Sequence, residues 1–176
     1  MISRPVPGDY APYYEIYIGK VPDGDILKIL EVQSRDTLRL LDEIGEQRAL
    51  HRYAPEKWSI KQIIGHVTDA ERIFAYRALA IARNDKTPLP PFEQEDYARE
   101  GNHNARPLRS IASELAAVRA ASLALFESLD PESLHRRGRA AGYDVTVRAF
   151  PFIMAGHERH HLGVIRERYL PQLGMA

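Results

Sequence analysis

The spacing of apolar residues constrains this chain more than any other feature, because it follows the α-helical period in four separate segments. In the first of them, from Asp25 to about Glu46, apolar side chains recur every three or four residues and form one stripe. A segment of this kind is stable when its apolar face packs against other elements. Four such segments in one chain predict an all-α protein, a four-helix bundle.

Local signals set the limits of the other three predicted helices. Ser59 followed by Gln62 forms a capping box, so the second helix is predicted to begin there. Pro107 suits the first turn of the third helix. The fourth helix is predicted to begin between residues 146 and 151 and to end near Tyr169, before a proline.

The connections between these helices differ in length and character. The segment "NDKTPLPPFEQEDYAREGNHNARP", between the second and third helices, is long for a compact domain, and loops of this length are often functional. It permits a crossover that leaves those two helices parallel. The segment "RRGRAAGYDVTV" is predicted to hold a short extended piece. Residues 1–22 are predicted to run as an extended N-terminal arm across a bundle domain of residues 23–176.

Composition excludes several classes of function. Lys plus Arg and Asp plus Glu both number 24, so the net charge of zero favours neither nucleic acid nor an anionic membrane as a partner. The chain has no apolar run long enough to span a bilayer and no apolar core of a signal peptide near its start, which predicts a cytoplasmic location. The absence of cysteine excludes disulfides, a cysteine nucleophile and thiolate metal ligands.

Three histidines interrupt the apolar segment "AGHERHHLGVI". His157 and His161 are four residues apart, so they lie on one helical face, the apolar stripe, and point into the bundle. Such a pair can ligate one metal ion, although two hydrogen-bonded core histidines are the simpler alternative. Without partners, buried imidazoles would each cost roughly 1–3 kcal/mol. His160 lies on a flanking face, where a position at the rim of the site or in support of its ligands is expected.

A third ligand is expected from the second helix. His66, in "IIGHVTDAE", lies on the inward side, and Asp69 one turn further on is predicted to accept the other ring N–H of His66 or to bind the metal itself. Phe92 and Tyr97 in the long loop are interpreted either as a cap over the site or as anchors of the loop. His51, His103, His135, Glu158 and Arg159 are interpreted as solvated, and Trp58 as a packing residue. Four tyrosines of the N-terminal arm are interpreted as a cover over hydrophobic surface, with one of them at the mouth of the site as the alternative: Tyr10, Tyr13, Tyr14 and Tyr17.

The segments "KWSIKQIIGHVTDAERIF" and "FPFIMAGHERHHLGVI" together resemble the DinB superfamily, which includes the bacillithiol transferases and relatives of the mycothiol-dependent maleylpyruvate isomerase. The resemblance covers about residues 25–170, and "PFEQEDYARE" is also similar to the family. It implies a bundle of up-down-down-up topology, often dimeric, with a divalent metal ion such as nickel or zinc. The histidine triad that holds the ion maps to His66, His157 and His161.

The ligand set and the missing cysteine together predict a function. Three neutral imidazoles leave a divalent ion its full charge, so it would deprotonate a bound thiol outright and lower the pKa of a bound water toward neutrality. Because the chain has no cysteine, a thiolate must come from a small molecule. We therefore expect metal-dependent transfer of a low-molecular-weight thiol to an electrophile. The alternatives are metal-dependent hydrolysis and a non-catalytic stress-response bundle with a structural ion. The resemblance to the superfamily implies a homodimer.

Overall fold

Four long helices form the body of the protein in a computed structural model that describes residues 1–175. In chain order the helices are α1 (Glu15–Ile18), α2 (Ile26–Arg48), α3 (Ile60–Ala82), α4 (Gln94–Glu100), α5 (Leu108–Glu127), α6 (Pro131–His135) and α7 (Ala149–Val164). The four long ones, α2, α3, α5 and α7, are the four helices that the apolar period predicts. The predicted all-α four-helix bundle is confirmed.

Caps at the helix starts follow the sequence signals with one difference. At α3 the Ser59 side chain accepts from the backbone N–H of Gln62, and the Gln62 side chain accepts from that of Ser59, both at 3.1 Å, so the predicted capping box is confirmed. Pro107 stands just before α5 rather than in its first turn. The first N–H of α5, that of Leu108, is instead satisfied by the carboxylate of Glu46 on α2, at 2.7 Å.

The packing of α5 on its neighbours defines the helix directions. Lys61 at the start of α3 donates to the carbonyl of Arg106, just before α5, at 2.7 Å, and Arg72 further along α3 pairs with Glu114 of α5 at 2.7 Å. The two helices therefore lie side by side and run in the same direction. Glu46, which caps the start of α5, lies at the end of α2, so α2 and α5 run in opposite directions.

Contacts between α2 and α7 complete the arrangement. The side chain of Gln33 on α2 donates to the carbonyl of Ala155 on α7 at 3.1 Å, and Thr37, one turn further, donates to Glu158 at 2.6 Å. These two helices also run in the same direction. Because α3 and α7 run antiparallel, the first part of α3, which carries His66, meets the second half of α7, which carries His157 and His161.

The long connections contain short elements of their own. The segment between α3 and α5 holds α4 and a 3₁₀ turn, His103–Ala105. The predicted extended piece before α7 is an antiparallel hairpin of β1 (Arg137–Ala140) and β2 (Tyr143–Thr146). After α7 the chain continues through a π-helical turn, Ile165–Tyr169, so its helical path ends close to the predicted position.

The N-terminal arm is more folded than its prolines suggest. The sequence predicts an extended path, but the arm forms a 3₁₀ turn, Pro12–Tyr14, followed by α1, because the fixed φ of Pro12 suits a first helical position. It is also firmly attached. Asp9 is 1% exposed and pairs with Arg148 at 2.6 Å and with Arg137 at 2.7 Å. The arm therefore belongs to the folded body.

A polar layer divides the core of the bundle into two apolar clusters. One cluster surrounds Phe74 and Phe150, and the other surrounds Ile64 and Ile165. Between them, buried polar side chains come from all four long helices: Gln33 and Thr37 from α2, His66 and Glu71 from α3, Arg119 from α5, and His157 and Glu158 from α7. Among residues 1–175 no helix is both long and apolar enough to cross a bilayer, and the cytoplasmic location stays a prediction.

Candidate metal centre

Three histidine side chains converge in the polar layer between α3 and α7. Nε2 of His157 lies 3.1 Å from Nε2 of His66 and 3.2 Å from Nε2 of His161, and a ligand atom from each of the three lies within 4.8 Å of the others. Imidazole nitrogens about 2.1 Å from a tetrahedral ion are about 3.4 Å apart. Two of the three nitrogen pairs therefore lie within a few tenths of an ångström of the separation that a bound divalent ion requires.

The helices position this triad in a simple way. His157 and His161 are one turn apart on α7, and the antiparallel α3 brings His66 to the same level. His66 is 2% exposed and His157 6% exposed, while His161 is half-buried and marks the open side of the triad. The structure thus brings together the three residues that the sequence predicts as ligands.

The arrangement of ring nitrogens suits a cation better than it suits three bare imidazoles. Nε2 of His157 contacts two other nitrogens, but a neutral imidazole carries a single ring hydrogen and can complete one of these contacts as donor. Lone pairs that face each other in a buried site are costly. An ion bound by all three lone pairs removes this conflict. The nitrogen donors suit zinc, nickel, copper or iron.

Burial keeps the three rings in the neutral form that a metal ligand requires. Desolvation lowers the pKa of His66 to about 4, that of His161 to about 3, and that of His157 well below its ordinary value. The mutual repulsion of the rings, if charged, adds to the shifts of His157 and His161. The triad therefore presents lone pairs near pH 7, and metal binding there needs little proton release.

These pKa values predict an acid-labile apoprotein. Unfolded histidine titrates near 6.5, so between about pH 6.5 and pH 4 the unfolded chain binds more protons than the folded protein. The free energy of unfolding therefore decreases as the pH is lowered through this range. We expect urea midpoints of the metal-free protein to be lower at about pH 5 than at about pH 7. His161→Asn, which cannot be protonated, should show a smaller drop. An equal drop would contradict the assignment.

Trp58 forms one wall of the site. Its ring centroid lies 4.9 Å from that of His66 and 6.4 Å from that of His161, and its indole N–H donates to Glu95 at 3.0 Å. The sequence predicts Trp58 as a packing residue at the helix start. It does pack there, but against two of the triad histidines, which orients their rings.

A cleft of about 220 Å³ opens beside the exposed edge of the triad. His160, His161, Trp58 and Glu95 are among the residues that line it, so His160 lies at the rim, as predicted. The long loop contributes Gln94 and Glu95, in the first turn of α4, to this lining.

The two loop aromatics predicted near the site do not line the cleft. Phe92 packs against the apolar cluster around Phe74, and the Tyr97 ring contacts Phe92 with centroids 5.3 Å apart. Of the two predicted roles, anchoring of the loop is the one these contacts support. Phe92 packs on the hydrophobic surface of the bundle, and Tyr97, 46% exposed, lies against Phe92 rather than at the triad.

Asp69 does not accept a hydrogen bond from His66. It pairs with Arg72 at 3.4 Å and lies 3.8 Å from Nε2 of His103, and Nδ1 of His66 has no hydrogen-bond partner among residues 1–175. The Asp69 carboxylate lies beside His103, in the 3₁₀ turn of the long loop, rather than at the triad. The prediction that His103 is solvated is wrong, because it is 5% exposed and its ring lies against Gly65 of α3.

A buried ionic network adjoins the triad on the other side of α7. Arg119 of α5 donates to Glu71 of α3 at 2.9 and 2.7 Å and to Glu158 of α7 at 2.8 Å. All three side chains are at most 3% exposed. The prediction that Glu158 is solvated is therefore wrong. Thr37 and Gln33 also donate to Glu158, so both of its carboxylate oxygens accept hydrogen bonds.

Comparison with known families bears directly on this site. The sequence pattern of the DinB superfamily matches residues 29–165, a stretch that contains the whole triad. This chain belongs to the DinB superfamily. The resemblance predicted from the histidine segments is confirmed, and the superfamily match begins after the N-terminal arm.

Individual relatives share sequence or fold with this chain. A protein of Oceanobacillus iheyensis, named provisionally as a metal-dependent hydrolase, is 24% identical over 146 residues, 80% of this chain and 81% of its own. The structure of Bacillus subtilis YfiT, described as a probable metal-dependent hydrolase with an unusual four-helix bundle topology, has a TM-score of 0.75 at 15% identity, covering 92% of this chain and 99% of YfiT.

A second structural relative has a different named activity. The structure of the mycothiol-dependent maleylpyruvate isomerase has a TM-score of 0.65 at 11% identity and covers 82% of this chain and 61% of its own. At such low identities these structures establish the shared fold. The relatives' names span metal-dependent hydrolysis and thiol-dependent chemistry.

Proposed function

We propose that this protein is a metal-dependent transferase that joins a low-molecular-weight thiol to an electrophile. The observation that carries the proposal is the convergence of three neutral imidazole nitrogens at the base of an open cleft, in a chain without cysteine. His66, His157 and His161 would hold a divalent ion, nickel or zinc. The homodimer stays a prediction.

The ion's contribution is to lower the pKa of a thiol bound to it, so that the thiolate, which is the nucleophile, forms near neutral pH. The chain's own residues supply the rest. The triad stays neutral and so leaves the positive charge of the site to attract an anion. Trp58 shields His66 from solvent, and the cleft beside His161 admits both small molecules.

The surroundings of the triad favour thiol transfer over hydrolysis. Activation of water is aided by a carboxylate base near the metal, as the Glu of HExxH proteases provides. This chain has the same spacing at His157, Glu158 and His161, but Glu158 is held by Arg119 in the buried network. Asp69 is engaged by Arg72, and of the carboxylates that line the cleft, Glu56 and Glu95, the second accepts from the Trp58 indole. A thiol is more acidic than water and needs no such base.

Metal-dependent hydrolysis is the second candidate, and the names of two relatives favour it. Both the Oceanobacillus iheyensis protein and YfiT carry the description of a metal-dependent hydrolase. His160, half-buried at the rim of the cleft with its ring 5.2 Å from that of His161, is the residue placed to take a proton from water. The two candidates differ in whether turnover requires a thiol.

The test is thiol consumption in the metal-loaded protein. With several low-molecular-weight thiols and an alkyl halide as electrophile, we expect conjugation that stops when a chelator removes the metal, and little turnover of ester or amide substrates. His161→Ala should abolish conjugation. His135→Ala, at the end of α6 and outside the cleft lining, is the matched control and should retain it. Chelator-sensitive hydrolysis that needs no thiol would instead establish the second candidate.

A further inference from the structure

The N-terminal arm, which lies outside the stretch matched by the superfamily, packs directly on the helix that carries two of the three histidines. Residues of α1 contact α7 along its buried side. At Gly156, beside His157, the backbone of the arm approaches closely: a Cβ at this position would overlap the carbonyl group of Tyr17. Glycine is therefore required at this crossing.

The same approach places an aromatic ring on the triad. The Tyr17 ring meets the ring of His157 edge to face with centroids 5.4 Å apart, and it meets the ring of His160 with the same separation and the same angle. Phe74 contacts His157 from a further direction, with centroids 5.8 Å apart. His157 is thus enclosed by aromatic rings on the sides that its fellow histidines leave open.

Two features hold the arm in this position. Ahead of Tyr17, the buried carboxylate of Asp9 pairs with Arg148 just before α7. After Tyr17, Ile18 and Val21 are each 3% exposed in the apolar cluster around Phe74. The arm is therefore attached to the bundle on both sides of the residue that touches the triad.

We propose that the N-terminal arm is a structural wall of the metal centre and that Tyr17 is a positioning residue for it. Its ring holds His157 in the orientation that directs Nε2 to the metal and keeps solvent away from that imidazole, as Trp58 does for His66 on the opposite side. The inference rests on the metal site of the proposed function. It concerns the affinity of that site, and it is independent of whether the reaction is thiol transfer or hydrolysis.

The test measures metal affinity in four variants of the full chain. Trp58 is the single tryptophan and contacts His66, so quenching of its fluorescence by Ni²⁺ follows binding. Gly156→Ala and Tyr17→Ala should each weaken binding by about 10- to 100-fold, the usual effect of losing a residue that orients a ligand. Tyr17→Phe keeps the ring and should bind Ni²⁺ as the wild type does.

Gly163→Ala is the matched control for the glycine substitution. It lies on the same helix, and a Cβ there meets nothing within 4 Å, so its Ni²⁺ affinity should equal that of the wild type. Tryptic cleavage after Lys20 reports whether the arm has moved, and we expect it to be faster in Gly156→Ala than in Gly163→Ala. The absorption spectrum of the Co²⁺-loaded protein should change in Tyr17→Ala and not in Tyr17→Phe, because ligand geometry changes in the former.

The outcomes separate this inference from the proposed function. Wild-type Ni²⁺ affinity in both Tyr17→Ala and Gly156→Ala, beside a wild-type protein that binds the metal, would overturn the role of the arm and leave the metal site intact. A wild-type protein that binds no metal would overturn both. Weaker binding in these two variants supports the role of the arm whether or not any thiol is consumed.

Discussion

Replacing His157 with alanine should abolish metal binding. Nε2 of His157 stands between those of His66 and His161, so its loss leaves two nitrogens without the ligand that joins them. A site with three protein ligands and an open position cannot hold its ion with two imidazoles at comparable affinity. Protein purified without an affinity tag should contain about one equivalent of metal per chain, and His157→Ala essentially none.

The comparison with His160 makes this experiment decisive. His160 is adjacent in the chain to His161, but it lies at the rim of the cleft, and its ring contacts Tyr17 and His161 rather than the point where the three Nε2 atoms meet. His160→Ala should keep most of the bound metal, whereas His66→Ala and His161→Ala should lose it. Equal loss in all four variants, or equal retention, would show that the triad is not the ligand set.

The periodicity of the sequence predicts the fold and the histidine triad because both depend on the local geometry of single helices. The apolar stripe, the capping box at Ser59 and the spacing of His157 and His161 are properties of one helix at a time, and each element forms close to its predicted limits. The prediction of His66 as a ligand required one further assumption, that the inward face of its helix packs on the fourth helix. The contacts between α3 and α7 confirm this assumption.

The rest of the site depends on contacts between distant segments, which periodicity does not encode. Arg119 and Glu158 resemble solvated helix charges until three helices bring them together in the core. Tyr17 touches the triad because a glycine on α7 admits the backbone of the arm, a fit that no local signal reveals. Asp69 has the spacing of a partner for His66 but is drawn to Arg72, because a nearby guanidinium competes for its carboxylate.

Replacing Arg119 with methionine should destabilise the protein more than any single surface substitution. The guanidinium is the shared partner of two carboxylates, Glu71 and Glu158, and all three side chains are at most 3% exposed. Methionine would leave two like charges in the core without a counter-ion, and breaking a buried ion pair in this way costs about 3–5 kcal/mol. The fall in the free energy of unfolding is measured by urea denaturation.

The size of this effect depends on charge as well as on volume, and two further variants separate the two causes. Arg72→Met removes a half-exposed guanidinium that pairs with Glu114, and it should cost at most about 1 kcal/mol because exposed pairs contribute little.

Adding Glu158→Gln to Arg119→Met removes one of the two unpaired buried charges, so the double variant should recover part of the lost stability. If the double variant were less stable than Arg119→Met by the full cost of a second core substitution, packing rather than charge would explain the role of Arg119. Recovery would instead show that charge balance stabilises the polar layer. The ionic network that supports the bundle would then also fix the segment of α7 that carries His157, because Glu158 is the next residue in the chain.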